Sequence, residues 1–264
     1  MRGPALCTGL LLLLGAPAEA GGLEERLASF NEHARFPLPE LDESQLAELE
    51  AGELVRLRHR QQDADLPQRV VALQVMEAPK EVLWIAARDD CEEDVERFTH
   101  VLLGETQGRQ HWYQYLSVPF PFADRHWVID VWNNVELLEA LGDGYWERPW
   151  ILTEGGEERA LEAVENGEVP GISPSQAQRA VYVPYNQGAW VAIDLPDGRA
   201  LIGYHVTTVV GGAIPDGLVA EFTWRTFRRL YNGIVARVPT TPAHYDADHE
   251  PMMGGDGEPI PPFE

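Results

Sequence analysis

The chain has 264 residues, enough for one large domain or two small ones, and its 44% apolar content is that of an ordinary soluble globular protein with a sizeable core. A formal net charge of −23 repels phosphate backbones and anionic headgroups over roughly a Debye length, ~8 Å. That argues against nucleic acid as a partner and leaves at most transient membrane contact, while the same charge keeps a monomer soluble with no partner at all.

The first twenty residues stand apart. Arg2 gives a short positive region, Leu10 to Leu14 centre an apolar run, and Ala18-Glu19-Ala20 is a small-x-small cleavage motif ahead of Gly21-Gly22. This pattern over residues 1–20 predicts a secretory signal peptide and an exported protein, periplasmic or extracellular. The alternative, an uncleaved anchor, is poorly served by an apolar run far short of the ~20 residues that span a bilayer. Cys7 lies in the signal, so the mature chain keeps only Cys91 and has no intramolecular disulfide; packing alone must hold the fold. Cys91 is either a buried small apolar residue or a lone thiol.

After the signal, Gly22 to Glu50 predicts two short helices, the second over Asp42–Ala51 with Asp42 or Ser44 as N-cap and Gly52 as its end. Val55 and Leu57 alternate with Arg56, Arg58 and Arg60, the period of a half-buried strand, and Arg69–Met76 is a second strand. Pro79 opens a helix through Ala86. The acidic run from Asp89 to Glu96 extends or restarts it. Three strands follow, at Val101–Glu105, His111–Val118 and His126–Val131, with Pro119 and Pro121 suited to a bulge or an edge. Between Asn133 and Gln178 the pattern is least readable: a strand around Tyr145–Ile151, a short helix at Glu157–Val164, and a loop over Glu168–Ser175. Strand signal resumes at Ala180–Tyr185, Ala189–Leu195 and Ala200–Val209, and a long helix runs from Pro215 to about Arg237. Residues 239–264 are acidic and rich in Pro and Gly, which predicts a disordered tail behind a single domain over 21–238.

If Pro196-Asp197-Gly198-Arg199 closes a short hairpin, Val191, Ile193 and Leu195 share a face with Ile202, Tyr204 and Val206, and that face should look inward; Trp190, Asp194 and His205 fall opposite. The last helix spreads Val219, Ala220, Phe222, Phe227, Leu230, Tyr231 and Ile234 over a wide arc, which serves either as core or as one wall of a ligand cavity. Runs of strands closed by one long helix make an α+β arrangement rather than alternating βαβ units.

Pro119-Phe120-Pro121-Phe122-Ala123-Asp124-Arg125-His126-Trp127-Val128 resembles the Pro-aromatic-Pro, then Asp-Arg, signature of START-like (StAR-related lipid-transfer) domains within the polyketide-cyclase-like superfamily. Asn186-Gln187-Gly188-Ala189-Trp190, Leu195-Pro196-Asp197-Gly198-Arg199 and Tyr204-His205-Val206 resemble that family's closing hairpin, although a basic position often follows there and this chain has His205. Gly212-Ala213-Ile214-Pro215 resembles its lead-in to the C-terminal helix, Leu49 to Val55 the start of its bacterial members, and Met76 to Trp84 its first strand-to-helix step. The resemblance spans about Leu41 to Arg237 and is poorest over Asn133–Gln178. It implies a helix-grip fold, a curved antiparallel sheet wrapped around a long C-terminal helix with a lipid-sized cavity between them. The ligand-binding set expected there is Arg125, Trp127, Val191, Ile193, Ile202, Tyr204, Phe222, Phe227 and Tyr231. Arg125 would hold a ligand carboxylate or phosphate, or else form a structural salt bridge with an acidic neighbour.

The function expected from this is an exported carrier of a hydrophobic molecule, a lipid by preference, with no cofactor and no catalytic residue. Two alternatives share the fold: a cyclase or dehydratase drawing on His111, His126, Asp130, Tyr204 and His205, and a structural module whose interior its own side chains fill. No nucleophile elbow, phosphate loop or His-Glu-x-x-His motif is present. His244-Tyr245-Asp246-Ala247-Asp248-His249 has metal-ligand residue types, but in a tail expected to be disordered no metal site is predicted.

Overall fold

A computed structural model describes residues 22–61, 66–89, 98–212 and 216–263; residues 1–20, where a signal peptide is expected, and Cys91 lie outside them, as do the side chains of residues 216–223. In chain order the elements are α1 (Leu23–His33), α2 (Glu43–Glu50), β1 (Val55–His59), β2 (Arg69–Met76), α3 (Lys80–Arg88), β3 (Phe98–Thr106), β4 (Arg109–Leu116), β5 (Arg125–Val131) and α4 (Val135–Leu141). They continue as β6 (Tyr145–Leu152), α5 (Gly156–Glu165), α6 (Pro174–Arg179), β7 (Val181–Tyr182), β8 (Tyr185–Asp194), β9 (Ala200–Val209), α7 (Asp216–Arg237) and α8 (Thr241–His244). The strands form one sheet in the order β1-β2-β9-β8-β6-β5-β4-β3, antiparallel throughout that path, with β7 beside β5 in parallel. This is the helix-grip arrangement: a curved sheet closed on one face by the long C-terminal helix.

Local chemistry sets the helix ends. Asp42 accepts from Gln45 N while the Gln45 side chain accepts from Asp42 N, a reciprocal cap that starts α2. Ser173 and Gln176 repeat it at α6, with Pro174 in the first turn, so the last two residues of the stretch expected to be loop start a helix whose start signal was present. Asn134 caps α4 by accepting from Leu137 N, a second helix that periodicity did not reveal.

Both sheet faces are covered. On the concave face Trp127, Ile129, Trp146, Trp150, Ala192 and Ile202 pack with α3 and with Phe227, Tyr231 and Ile234 of α7. The Tyr231 hydroxyl donates to Ala72 O at 2.7 Å and lies 3.2 Å from Ile202 O, tying α7 to β2 and β9. On the other face Leu73, Val191, Ile193 and Leu201 meet Leu27, Phe30, Leu49 and Leu137 of α1, α2 and α4. Tyr113, Tyr115 and Val128 meet Ala160, Ala163 and Ala177 of α5 and α6.

The expected hairpin face is corrected by this register. Asp194 pairs with Ala200 around the five residues 195–199, so Trp190 stands opposite Tyr204 and Ala192 opposite Ile202. Val191 and Ile193 therefore belong to the face under α1 and α2, away from Ile202 and Tyr204. A slip of one residue moves a whole set of side chains through the sheet.

Residues 239–263 are corrected too: they pack against the body. Tyr245 is 1% exposed; its hydroxyl donates to Ile260 O and accepts from Met252 N, both at 2.8 Å. Gly255 lies so close to Trp146 that a Cβ there would stand 2.3 Å from the ring system's own Cβ and Cγ, so a sparsely apolar segment still covers an indole by bringing backbone down on it. Met253 O accepts from Trp84 Nε1 at 3.1 Å and from Arg88 at 3.2 Å. Tyr245→Phe keeps the ring and loses both hydrogen bonds. It should weaken the tail by about 1–2 kcal/mol, read as roughly tenfold or faster hydrogen exchange at Met252 N; unchanged exchange would mean that the hydroxyl does not pin the segment.

The corner beside the tail holds Lys80, the only lysine of the chain, 3% exposed and paired with Glu81 (2.7 Å), Asp143 (3.3 Å) and Asp194 (3.1 Å) over the Trp146 ring. Among the described residues, no helix is long and apolar enough to cross a membrane.

Candidate functional site

The centre of the concave face is aromatic. Trp190 and Tyr204 touch across the β8–β9 pair with ring centroids 4.6 Å apart, Trp150 lies 5.4 Å from Tyr204, and Phe227 of α7 meets Tyr204 edge-on at 5.1 Å. The strand period that placed Trp146, Arg148 and Trp150 on one face supplies the next ring of side chains. Trp150 Nε1 donates to Asn186 at 2.8 Å, whereas the 8% exposed Trp127 has an indole N–H that is buried without a partner.

Tyr204 has two properties that constrain its surroundings. Burial pushes its phenol pKa upward, so protein surrounds the hydroxyl; yet the side chain, like that of Trp190, keeps accessible surface although both strands are in the middle of the sheet. The ring is thus packed by Trp150, Trp190 and Phe227 and still leaves part of its surface uncovered on the concave side.

Two arginines give this face its polar end. Arg148, 9% exposed, donates to Gln110 at 2.5 Å and to Asn133 at 2.9 Å, and among the described residues its hydrogen-bond acceptors are these neutral amides. Burial lowers its pKa to about 10, with Glu105 opposing the shift. Arg88, at the end of α3, lies over the Trp84 ring and donates to Met253 O. Burial foremost, and then the nearby Arg148 charge, hold its pKa well below the ordinary arginine value. Arginine stays cationic at neutral pH, so two positive charges lie at this end, Arg148 buried and Arg88 partly exposed.

Arg125, expected as the headgroup ligand, does something else. It is 2% exposed; Nε donates to Val210 O at 2.7 Å, one terminal nitrogen to Gly211 O at 2.8 Å, and the other to Ala123 O and, at 3.3 Å, to Asp124 O. The fork clamps the start of β5 to the β9–α7 link, and its acceptors are backbone carbonyls, not the carboxylate of a salt bridge. Asp124 in turn closes the Pro-rich loop by accepting from Val118 N (2.8 Å) and Tyr115 Oη (2.5 Å).

Of the other expected ligand residues, Trp127, Ile202, Tyr204, Phe227 and Tyr231 share the concave face, Val191 and Ile193 are on the opposite one, and the Phe222 side chain lies outside the described residues. The candidate catalytic set does not assemble. His111 pairs with Asp130 at 2.8 Å; both, with His126, point to the α5–α6 side, where His126 packs between Tyr113 and Tyr182. His205 is buried against Phe36 under the N-terminal segment. Only Tyr204 of that set faces the concave side. Arg148 and Arg88 were missed by sequence reading; the Trp-x-Arg-x-Trp alternation was the available signal for the first.

No family model and no curated protein matches the chain. Among solved structures it is similar to a STAR-related lipid transfer protein fragment from Xanthomonas axonopodis, with a TM-score of 0.50 and 16% identity, covering 70% of this chain and 93% of that one. It is also similar to human StAR-related lipid transfer protein 5, with a TM-score of 0.52 and 14% identity, covering 82% of this chain and 95% of that one. At such identity the likeness is one of fold, and the fold is START-like.

Proposed function

We propose that this START-like chain is a carrier that binds one hydrophobic, lipid-sized molecule between the sheet and α7, with an acidic group of that molecule held toward Arg148 and Arg88. The observation that carries this reading is the pair Trp190 and Tyr204, enclosed in the protein yet partly accessible at the middle of the concave face. Apolar burial at about 25 cal/mol per Å² supplies most of the affinity, and the guanidinium groups select among ligands by charge. The buried, unpartnered N–H of Trp127 offers one further donor to a ligand oxygen. Lipid transfer is what the two similar proteins are named for, and the fold suits it. Export belongs to the same proposal and rests on the N-terminal pattern: the secreted chain should begin at Gly21.

Native mass spectrometry with solvent extraction, on chain 21–264 from an exported source, tests the carrier reading. A stoichiometric lipid supports it, and a clean apo mass that persists after exposure to lipid extract overturns it. Arg148→Met should then weaken ligands with an acidic group by about 10- to 100-fold, the size of a lost charge-assisted hydrogen bond, and change neutral ligands by less than about threefold. Equal losses for both would remove the charge selection from the proposal.

A further inference from the structure

The end of α3, the last residue of α8 and the segment that follows it bring together Asp89, His244 and His249. Asp89 Oδ2 lies 3.0 Å from His244 Nε2 and 3.3 Å from His249 Nε2, and the three ligand atoms all lie within 4.8 Å of one another. Asp89 and His249 are 16% and 19% exposed and His244 50%, so the cluster opens to solvent on one side.

The Nδ1 contact of His249 fixes which ring nitrogen faces Asp89. His249 Nδ1 sits 2.7 Å from Glu250 O, and a carbonyl only accepts, so Nδ1 carries the proton. In a neutral ring Nε2 is then a lone pair, yet it faces a carboxylate oxygen at 3.3 Å, an arrangement that repels unless a positive charge stands there. A metal ion bound by all three groups supplies that charge, and a backbone carbonyl on the distal imidazole nitrogen is the support that metal-binding histidines use. The alternative source is a second proton on the ring.

We propose that Asp89, His244 and His249 form a binding site for a divalent transition metal of the zinc class, completed by water. Metal–ligand bonds of ~2.0–2.1 Å in tetrahedral geometry put ligand atoms ~3.3 Å apart, close to both carboxylate–imidazole separations here; rotation of the half-exposed His244 ring closes the third edge. Two imidazoles and one carboxylate suit zinc, cobalt or nickel and not calcium or magnesium, which prefer all-oxygen sets. Because Asp89 caps α3 and both histidines belong to the C-terminal segment, the metal fastens residues 241–263 to the body across 155 positions of sequence.

The test uses the chain over residues 21–264 stripped with a chelator and titrated with Co²⁺, then Zn²⁺. Expected are visible cobalt bands that saturate at one equivalent and vanish on adding zinc. At 100-fold excess of zinc over Kd, exchange of amides in 245–260 should slow by about 100-fold wherever opening of the segment releases the metal. His249→Ala and Asp89→Asn should lose the bands and the zinc-dependent slowing, while His59→Ala on β1 keeps both. Absence of bands together with exchange that ignores zinc and follows pH alone overturns the proposal and leaves an aspartate–imidazolium pair.

Discussion

Arg125→Met should destabilise the fold by about 3 kcal/mol or more, with little effect on the ligand selectivity of the molecules that remain folded. The side chain is 2% exposed, and its guanidinium satisfies carbonyls at Ala123, Asp124, Val210 and Gly211. Methionine fills most of the volume and none of the hydrogen bonds, and each buried carbonyl left without a donor costs about 1–3 kcal/mol. Lysine should not rescue it, because a compact ammonium cannot reproduce a fork that spans two chain segments. The geometry on the far side is equally demanding: Gly211 and Gly212 both have positive φ, at 65° and 69°, and a Cβ on Gly212 would stand 3.0 Å from the guanidinium. Urea midpoints of the wild type, Arg125→Met and Arg125→Lys measure this. A midpoint close to wild type, together with altered ligand selectivity, would return Arg125 to the role that the family resemblance implied.

The second large effect is loss of stability in mild acid. His126 is 2% exposed and burial lowers its pKa to about 4, against an ordinary value of 6.5. Between those values the unfolded chain binds the proton and the folded chain does not. Stability from this group is therefore complete above pH ~6.5 and is lost as pH falls toward ~4, by up to about 3 kcal/mol. His205, 1% exposed, is held well below its ordinary pKa by burial first and by Arg69 second, and extends the loss to lower pH. Glu147 acts in the opposite sense: burial raises its carboxyl pKa despite the bonds it accepts from Arg35 N, Phe36 N and Asn134, so its protonation favours the folded state. His205→Leu isolates the histidine contribution. Both ring nitrogens of His205 are buried without hydrogen bonds, so leucine should leave stability at pH 7.5 equal or higher and should flatten the decline toward pH 4.5. An undiminished decline in both His205→Leu and His126→Phe would assign the acid sensitivity to other groups.

These two predictions rest on residues whose roles sequence reading handled unevenly, for physical reasons. Strand and helix positions were legible because periodicity and end signals are local: Arg69–Met76 and the Asp42 cap stand where expected, and the long helix lies within one residue of its expected start. Facing was not legible in β8 and β9, because helices cover both sides and neither face is polar enough to mark itself. One residue of loop length then decided that Trp190, and not Val191, stands with Tyr204. The Arg125 motif was recognised, but the difference between holding a ligand and holding a backbone link lies in Val210 and Gly211, 85 and 86 residues away. The tail was misjudged because composition counts apolar residues and does not see that Gly254 and Gly255 let bare backbone lie on Trp146. Asp89 joins His244 and His249 only through the fold.

Lys80 has a use beyond packing. With no other lysine in the chain, an amine-reactive mass tag meets one side chain besides the amino terminus, and in the folded protein that amine is 3% exposed and engaged by three carboxylates. Its carboxylate partners come from α3, from the link before β6, and from the end of β8, so tagging requires those three segments to part. The rate at which the protein gains that single tag is thus a clock for opening at one corner of the grip, and it can be read by intact mass on the wild-type chain without engineered labels.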